Sequence, residues 1–502
     1  MSSSQYSIQS IDPRLVQTGA FINNEFITPK GPTFDVIDPA TGKPWIALTS
    51  CTVADVSSAV DAATAAFPSY SKLSARERAR LILAWDDLIR SNREDLAHIL
   101  VFETGKPYNE ALGEVDYALT FSWWMAGEAE RQHGSVANGN GPGPTADNRM
   151  VVIKQPVGVV ACLTPWNFPI ALFVRKVATA LAAGCTVVAK PSPETPISSL
   201  ALAELARRAG IPKGVLNILP CDSGNTPSIG KSLCEHPTIA KISFTGSTAV
   251  GKLLATQCAP YLKKLTLELG GNGPFIIFED ADLEKAVTNL MACKFRHAGQ
   301  TCVCAQRVFV QASIYDRVLD MLKDRMQKEL NPGHGLDNKT TIGPLTTPRS
   351  VKKAQSHVDD AIQRGASKVV SIEVPSTTTG YFFSPTLLAN VTDDMLVAKE
   401  ESFAPILSLF TFDSEIEVLR RANATSMGLT SYVFSQDSDR LWRMFEGIET
   451  GNVGLNVGMT TSAEAPFGGW HDSGYGKEAG LGYGIGEYLK VKTATWRINF
   501  SK

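Results

Sequence analysis

Apolar residues recur every three or four positions along Val53 to Phe67 and again along Ala75 to Glu103, with charged residues on the opposite faces. That spacing predicts two amphipathic helices, with Asp55 and Ser74 as their caps. The pattern changes at Asn138 to Asp147 (NGNGPGPTAD), where Gly, Pro and Asn crowd together as in a turn-rich connection. From Val151 short β-branched runs take over: VVIKQPVGVVACLTP, CTVVAKP, VLNILP and IAKISFTGS. Each ends in turn residues, and helix-like stretches such as Ile170 to Ala183 and Ser198 to Ala209 separate them. This alternation predicts parallel strands with crossover helices.

A second alternating region follows Leu269. Strands are predicted over Phe275 to Phe278, Arg307 to Gln311, Lys368 to Ile372 and Leu407 to Phe412. Helices are predicted over Asp282 to Phe295, Ile314 to Glu329 and Val351 to Arg364. Two α/β domains in tandem follow, joined near Glu268 to Gly273. No internal repeat or low-complexity segment is visible, and the cluster Ser376 to Thr379 is expected as a surface loop.

Composition narrows the function classes. A chain of 502 residues is too long for one ordinary core, and 44% hydrophobic with 20% charged residues is the balance of a globular enzyme. A net charge of −2 without a long basic run gives nucleic acid no footing as a partner. Nine scattered cysteines lack a secreted-type framework, so reduced thiols in a reducing compartment are expected. The start, MSSSQYSIQSIDPRL, has no apolar core, no basic opening and no run of arginines, so the expected location is cytoplasmic. The most apolar stretch, Ala178 to Ala189, falls short of the ~20 residues of a membrane span.

The run FRHAGQTCVCAQR, starting at Phe295, carries the most chemistry. A free cysteine is ordinarily a small buried hydrophobe. Cys302, however, sits among small and polar residues, and the supports that a nucleophilic thiol needs occur in separate runs. TPWNFP places Asn167 in a turn between a strand and a helix, where its amide can face developing negative charge. LELGGNGP places Glu268 at a strand end before glycines, suited to activating water. Taken singly, that Asn reads as a turn residue and that Glu as a surface charge. Cys302 and Cys304 with only His297 nearby do not make a zinc set, and no metal is expected. Residues two apart reach at most roughly 7 Å between Cα atoms, against the about 5.5–6 Å that disulfides favour. Cys304 is therefore either half of a strained, reversible bridge that switches Cys302 off or a spare thiol.

For a nucleotide, the fingerprint G-x-G-x-x-G is missing. SGNTPSIGKS, from Ser223 to Ser232, has one residue too many for a P-loop and no clear Mg²⁺ carboxylate after it, which disfavours phosphoryl transfer. FTGSTAVGK follows a strand and opens a helix, so Gly246 and Ser247 can offer N–H groups to a pyrophosphate. AKPSPETP also follows a strand and places Lys190 where ribose hydroxyls or a phosphate would bind.

Taken in order, TPWNFP, AKPSPETP, FTGSTAVG, LELGGN, GQTC, EESFAP and APFGGWHDSGYGKEAG resemble the aldehyde dehydrogenase superfamily, from about Asp35 to the C-terminal region. The resemblance implies an α/β fold of two Rossmann-type open-sheet domains with a small β oligomerisation arm. By position the cofactor-binding domain would span 1–131 and 155–268, the catalytic domain 269–475, and the arm 132–154 and 476–502. It implies that the Cys302 thiolate attacks an aldehyde, that Asn167 and the Cys302 N–H hold the oxyanion, and that hydride leaves to nicotinamide. Glu268 would then activate water against the thioester, with Lys176 relaying protons. Pro165, Trp166 and Leu269 would border the cofactor, and Glu401 and Phe403 would hold its nicotinamide ribose and ring.

Three departures from the family pattern stand out. Ala404 replaces a usual Gly, Trp470 and His471 alter a Gly-Gly-x-Lys run, and Pro193 stands where NAD-preferring members often carry a ribose-gripping Glu. The carboxylate moves on to Glu194, while Ser192 and Lys190 remain as phosphate partners. The cofactor expectation is NADP, with NAD as the alternative.

Arg175 follows Asn167 by eight residues and Arg296 precedes Cys302 by six. A lone arginine is ordinarily a surface or ion-paired group. Two at these positions read as a clamp for an anionic tail, with Ser462 adding a hydroxyl. With GQTCVCA they resemble the succinate-semialdehyde dehydrogenase branch. That implies a short ω-oxo acid as substrate, succinate semialdehyde first and glutarate semialdehyde second, and a homodimer or homotetramer. A broad-specificity aldehyde dehydrogenase and a catalytically silent binding or structural member of the fold are the competing readings.

Overall fold

In a computed structural model, residues 11–142, 145–376 and 378–500 are described. The first ten residues of the N-terminal stretch, Gly143 and Pro144 of the turn-rich connection, and Thr377 of the Ser-Thr cluster lie outside the described residues. The first predicted helix runs Val53–Tyr70. Thr52 is its N-cap, and Asp55 sits one turn in, its carboxylate accepting the Thr52 N–H at 2.7 Å. Ser74 caps the next helix as expected, accepting from Glu77 N. That helix does not reach Glu103. It divides into Ala75–Ser91 and Arg93–Thr104, because Asn92 leaves helical geometry (φ −110°, ψ 23°) and turns its side-chain amide back onto Leu88 O at 2.7 Å. Sequence periodicity gave no warning of the long helix Tyr108–Glu130, whose buried face includes Glu114 and Glu128.

The first sheet has eight strands. Its parallel core runs Leu216–Ile218, Thr186–Lys190, Val159–Leu163, Ile239–Thr245, Lys264–Glu268 across the sheet. Numbered along the chain, that order is 3-2-1-4-5, so the connections reverse direction between Val159–Leu163 and Ile239–Thr245. Ligands of such sheets bind at the carboxyl ends flanking that point. Here those ends lead into TPWNFP and into Gly246-Ser247. Helix Pro169–Ala183 is buried along its whole length, which is why its sequence is apolar on every face apart from Arg175, Lys176 and Thr179.

The second sheet orders its strands Ser367–Ser371, Thr386–Ala389, Ile406–Phe412, Arg307–Gln311, Pro274–Ile277, Thr430–Phe434, Asn452–Leu455. All but the first edge strand are parallel. The chain passes from Glu268 at the end of the first sheet to Pro274 at the start of the second, so carboxyl ends of one face amino ends of the other. The linking loop packs backbone to backbone: a Cβ on Gly271 would lie 2.5 Å from Cys302 O.

A third sheet pairs Ser135–Asn138, Asn148–Pro156 and Leu489–Arg497 as antiparallel ribbons. Val136, Val491 and Trp496 are exposed on it. Before reaching this arm the chain crosses the first domain. Gly474–Tyr475 pairs antiparallel with the strand ending at Glu268, and Ala479, Ile485 and Tyr488 are buried in the first domain's core. Among the described residues no helix is long and apolar enough to cross a membrane.

The edge pairing at Gly474 is sterically tight. Gly474 has φ +105°, and a Cβ there would meet Leu267 O at 1.9 Å. Gly482 also has positive φ (+73°) but no atom within 4 Å. Gly482→Ala should cost only the left-handed backbone penalty, roughly 1–2 kcal/mol. Gly474→Ala should lower the thermal midpoint clearly further. Equal midpoints for the two variants in calorimetry would contradict the pairing.

Candidate active site

The helix Leu283–Phe295 ends in an abrupt reversal. His297, Ala298 and Gly299 all have positive φ (50°, 52° and 75°), a costly conformation for the two that are not glycine. Gly299 is required there, since a Cβ would stand 2.4 Å from Ala404 O. Gln300 then pins the loop, its side chain donating to His297 O at 3.1 Å and accepting Thr346 N at 2.9 Å. The reversal delivers Cys302 to a narrow cavity of about 40 Å³. Asn167, Arg175 and Arg296 line the same cavity, with Tyr117, Phe168 and Phe467 as its aromatic walls. At ~10–15 Å³ per water, it admits a short molecule and no bulky one.

Cys302 is half-buried. Desolvation, reinforced by the carboxylates of Glu268 and Glu401, pushes its thiol up to about 12, against the pull of Arg175 and Arg296. The thiol is therefore protonated at neutral pH and needs a base. Asn167 stands across the cavity. One N–H of its amide donates to Gln300 O at 3.0 Å, which leaves the second N–H of that group available. The backbone carbonyl of Asn167 accepts from the buried Lys106 at 2.9 Å, and Lys106 is ion-paired with Glu114. The Cys302 backbone N–H has no acceptor among the described residues. Two donors without acceptors thus belong to residues that line the same cavity as the sulfur, the donor type that an oxyanion needs.

Behind the cavity lies a buried cluster of four charges. Arg175 bonds Glu268 through Nη2 and approaches Glu478 Oε2 at 2.7 Å through Nε. Glu478 Oε1 pairs with Lys176, whose Nζ also reaches Ser243 Oγ at 3.1 Å. The two carboxylates are driven apart. Two cations and Ser243 outweigh burial and hold Glu478 at about 2. At Glu268 burial wins over Arg175, Glu478 adds repulsion, and the carboxyl rises to about 8. Glu268 Oε1 is buried without a hydrogen bond, so a carboxylate of near-neutral pKa keeps one acceptor free, as a general base requires. Lys176 touches Glu478, not Glu268.

The expected clamp is thereby altered. Arg175 lines the cavity but is already committed to two carboxylates: Nη2 bonds Glu268, and Nε is ion-paired with Glu478 without a hydrogen bond, which leaves Nη1 as the nitrogen in contact with neither. Arg296 is the less committed fork. It lies over the Phe168 ring at 5.3 Å and near Met459 Sδ at 4.0 Å, with no carboxylate in ion-pair contact among the described residues. Ser462 is exposed and outside the cavity. Its neighbour Thr461 lines it instead, because the loop turns Ala463 into the core. Cys304 is fully buried, with its thiol toward the carbonyls of Lys294 and Ala305, both at 3.7 Å. No group of His, Cys, Asp and Glu able to hold a metal occurs among the described residues.

Of the residues expected around a dinucleotide, Pro193 lines a separate, larger cleft of about 560 Å³. Glu401 is half-buried and accepts Gly271 N at 3.2 Å, and desolvation lifts its carboxyl to about 7. Phe403 holds a strained φ of 52° and meets Trp166 edge-on at 5.5 Å, with Pro165 half-buried beside it. Leu269 supports helix Thr248–Cys258 so closely that a Cβ on Gly251 would fall 2.3 Å from it. Ser247 caps that helix without a side-chain hydrogen bond, and its first turn has no acid. Gly246 departs from expectation: its N–H donates to Glu268 O at 3.0 Å and is therefore not offered to a pyrophosphate, because the backbone there is bonded to the neighbouring strand end. An uncapped helix start without acids suits a pyrophosphate. Lys190 is buried, donating to Pro191 O at 3.1 Å. These residues fit a dinucleotide.

Lys106, Glu114, Tyr117, Phe467 and Glu478 escaped the sequence reading. Glu478 had a signal, since it lies in the run GKEAG. The others belong to apolar or helical runs with no local mark of a site. Glu478 also offers a test. Replacing it with Gln removes a repelling charge and frees Arg175 for Glu268, so the acid limb of the kcat–pH profile should move from near pH 8 to lower pH. A limb that stays in place would separate Glu478 from the base.

The chain matches the family model described as Aldehyde dehydrogenase family over residues 26–494. It is 47% identical to the succinate-semialdehyde dehydrogenase [NADP(+)] 1 of Schizosaccharomyces pombe, over 95% of this chain and 94% of that protein. It is 45% identical to the succinate-semialdehyde dehydrogenase [NADP(+)] GabD of Escherichia coli, over 96% and 98%. The crystal structure of succinate-semialdehyde dehydrogenase from Burkholderia pseudomallei superposes with a TM-score of 0.93 at 46% identity, covering 97% of this chain and 99% of the other. With its two open sheets, its nucleophile loop and these relatives, the chain belongs to the aldehyde dehydrogenase family.

Proposed function

We propose that this protein oxidises succinate semialdehyde to succinate, with NADP in preference to NAD as the hydride acceptor. The observation that carries the substrate is Arg296, a guanidinium free of carboxylate partners among the described residues, in a cavity of about 40 Å³ shared with Cys302. A free fork suits a carboxylate, and the small volume favours a short chain. Relatives at 47% and 45% identity carry that activity and NADP in their names.

The residues divide the work as follows. Arg296 and Nη1 of Arg175 bind the substrate carboxylate, which brings the aldehyde carbon to Cys302. The thiol proton passes to Glu268 as the C–S bond forms, and the free N–H of Asn167 with the Cys302 N–H holds the oxyanion. A bound nicotinamide dinucleotide would supply the acceptor for the hydride that leaves that carbon. Glu268 passes that proton to solvent and then takes one from the water that attacks the thioester; the tetrahedral adduct collapses as the C–S bond breaks, the Cys302 sulfur leaves as a thiolate and regains a proton from Glu268, and the acid departs. Lys176 acts through Glu478, keeping that carboxylate ionised so that Arg175 stays in place. Nine unpaired cysteines suit a reducing compartment, in keeping with a cytoplasmic location. The exposed apolar residues of the arm suit a homodimer or homotetramer.

Steady-state kinetics with succinate semialdehyde and butanal test the substrate. Arg296→Ala should cut kcat/KM for the acidic aldehyde by roughly a hundredfold, the worth of a charge-assisted pair, and leave butanal nearly unchanged. Comparable losses on both would refute the clamp, and no NAD(P)H with any short aldehyde would favour a silent member. In light scattering, Val491→Asp combined with Trp496→Asp should lower the oligomeric state, while an unchanged mass would remove the arm from assembly.

A further inference from the structure

Beyond the catalytic cavity a larger cleft, about 560 Å³, separates the two domains. One lip is the loop after strand Thr186–Lys190, with Pro193 and Glu194, and the other is the start of helix Pro348–Gln363, with Arg349. Glu194 is mostly buried and holds two partners. Ser192 Oγ donates to its Oε2, and Arg349 Nη2 stands 3.4 Å from its Oε1 across the gap. Arg349 is 75% exposed, so one edge of the guanidinium meets Glu194 while the rest faces the cleft. Two more acids, Asp35 and Asp222, line the same space. Glu103 also lines it, but burial lifts its carboxyl to about 8, so it is largely uncharged at neutral pH. Apart from Arg349, no charged side chain lining the cleft is a cation.

We infer that Arg349 is a specificity-determining residue for a 2′-phosphorylated dinucleotide, an inference that rests on the NADP reading above. That reading sets the adenosine ribose beside Lys190, Ser192 and Pro193, next to Glu194. A bare Glu194 carboxylate, backed by Asp35 and Asp222, would repel a phosphate at the ribose 2′ oxygen. Arg349 removes that obstacle in two ways. It neutralises Glu194 across the domain gap, and its remaining N–H groups are free to bond phosphate oxygens. Lys190, held at Pro191 O, does not reach across to replace it.

Binding of NADPH and of NADH, read by quenching of protein fluorescence, tests this without turnover. The wild-type chain should prefer NADPH. Arg349→Gln should weaken NADPH roughly fivefold, as for an exposed charge pair, and leave NADH within about twofold. Adding Glu194→Gln to Arg349→Gln should recover part of the NADPH affinity, because the carboxylate that needed neutralising is gone. A preference for NADPH that survives Arg349→Gln overturns the role of Arg349 and leaves the cofactor reading intact. A wild-type chain that binds NADH as tightly as NADPH overturns both.

Discussion

The buried cluster of Arg175, Lys176, Glu268 and Glu478 is the interaction on which the site depends. Its members come from three distant parts of the chain: the helix Pro169–Ala183, the strand Lys264–Glu268 and the run that follows Gly474. Each ion taken out of water costs several kcal/mol, and removing one partner strands another. The charges balance only when all three segments are packed together. The C-terminal segment is therefore drawn across the first domain, and the pairing of Gly474 with Glu268 fixes the base from its other side.

The same cluster divides two identical side chains into different roles. Glu478 and Glu268 are both buried. Glu478 contacts two cations and stays ionised, while Glu268 contacts one and titrates near neutrality. The number of cations at hand sets the difference, not the residue type. A carboxyl that exchanges protons near physiological pH thus lies beside a carboxylate that stays ionised there.

Around this centre the backbone carries much of the geometry. Carboxyl ends of the first sheet face amino ends of the second, and glycines let the two approach without side chains between them. The nucleophile loop is held by Gln300, by left-handed residues and by contacts to Ala404 O, not by regular structure. Asn167 is anchored from both ends, through Gln300 O and Lys106. In the function proposed above, selectivity rests on Arg296, which has no ion-paired carboxylate among the described residues, and on the small volume of the cavity it lines.

The alternating runs after Val151 determined two α/β domains, because strand and helix periods are local properties of a chain. The ordered motifs likewise marked Cys302, Asn167 and Glu268, since a reactive group needs particular neighbours in sequence. Local pattern failed where local geometry decides, as at Asn92, where one side-chain amide splits a predicted helix. It failed also where partners are remote. Nothing near Arg175 reveals that Glu268 and Glu478 occupy it, and nothing near Ser462 reveals that Thr461 is the residue facing inward. Periodicity and motif are written along the chain, whereas the partners of a buried charge are chosen by folding, which brings together residues hundreds of positions apart.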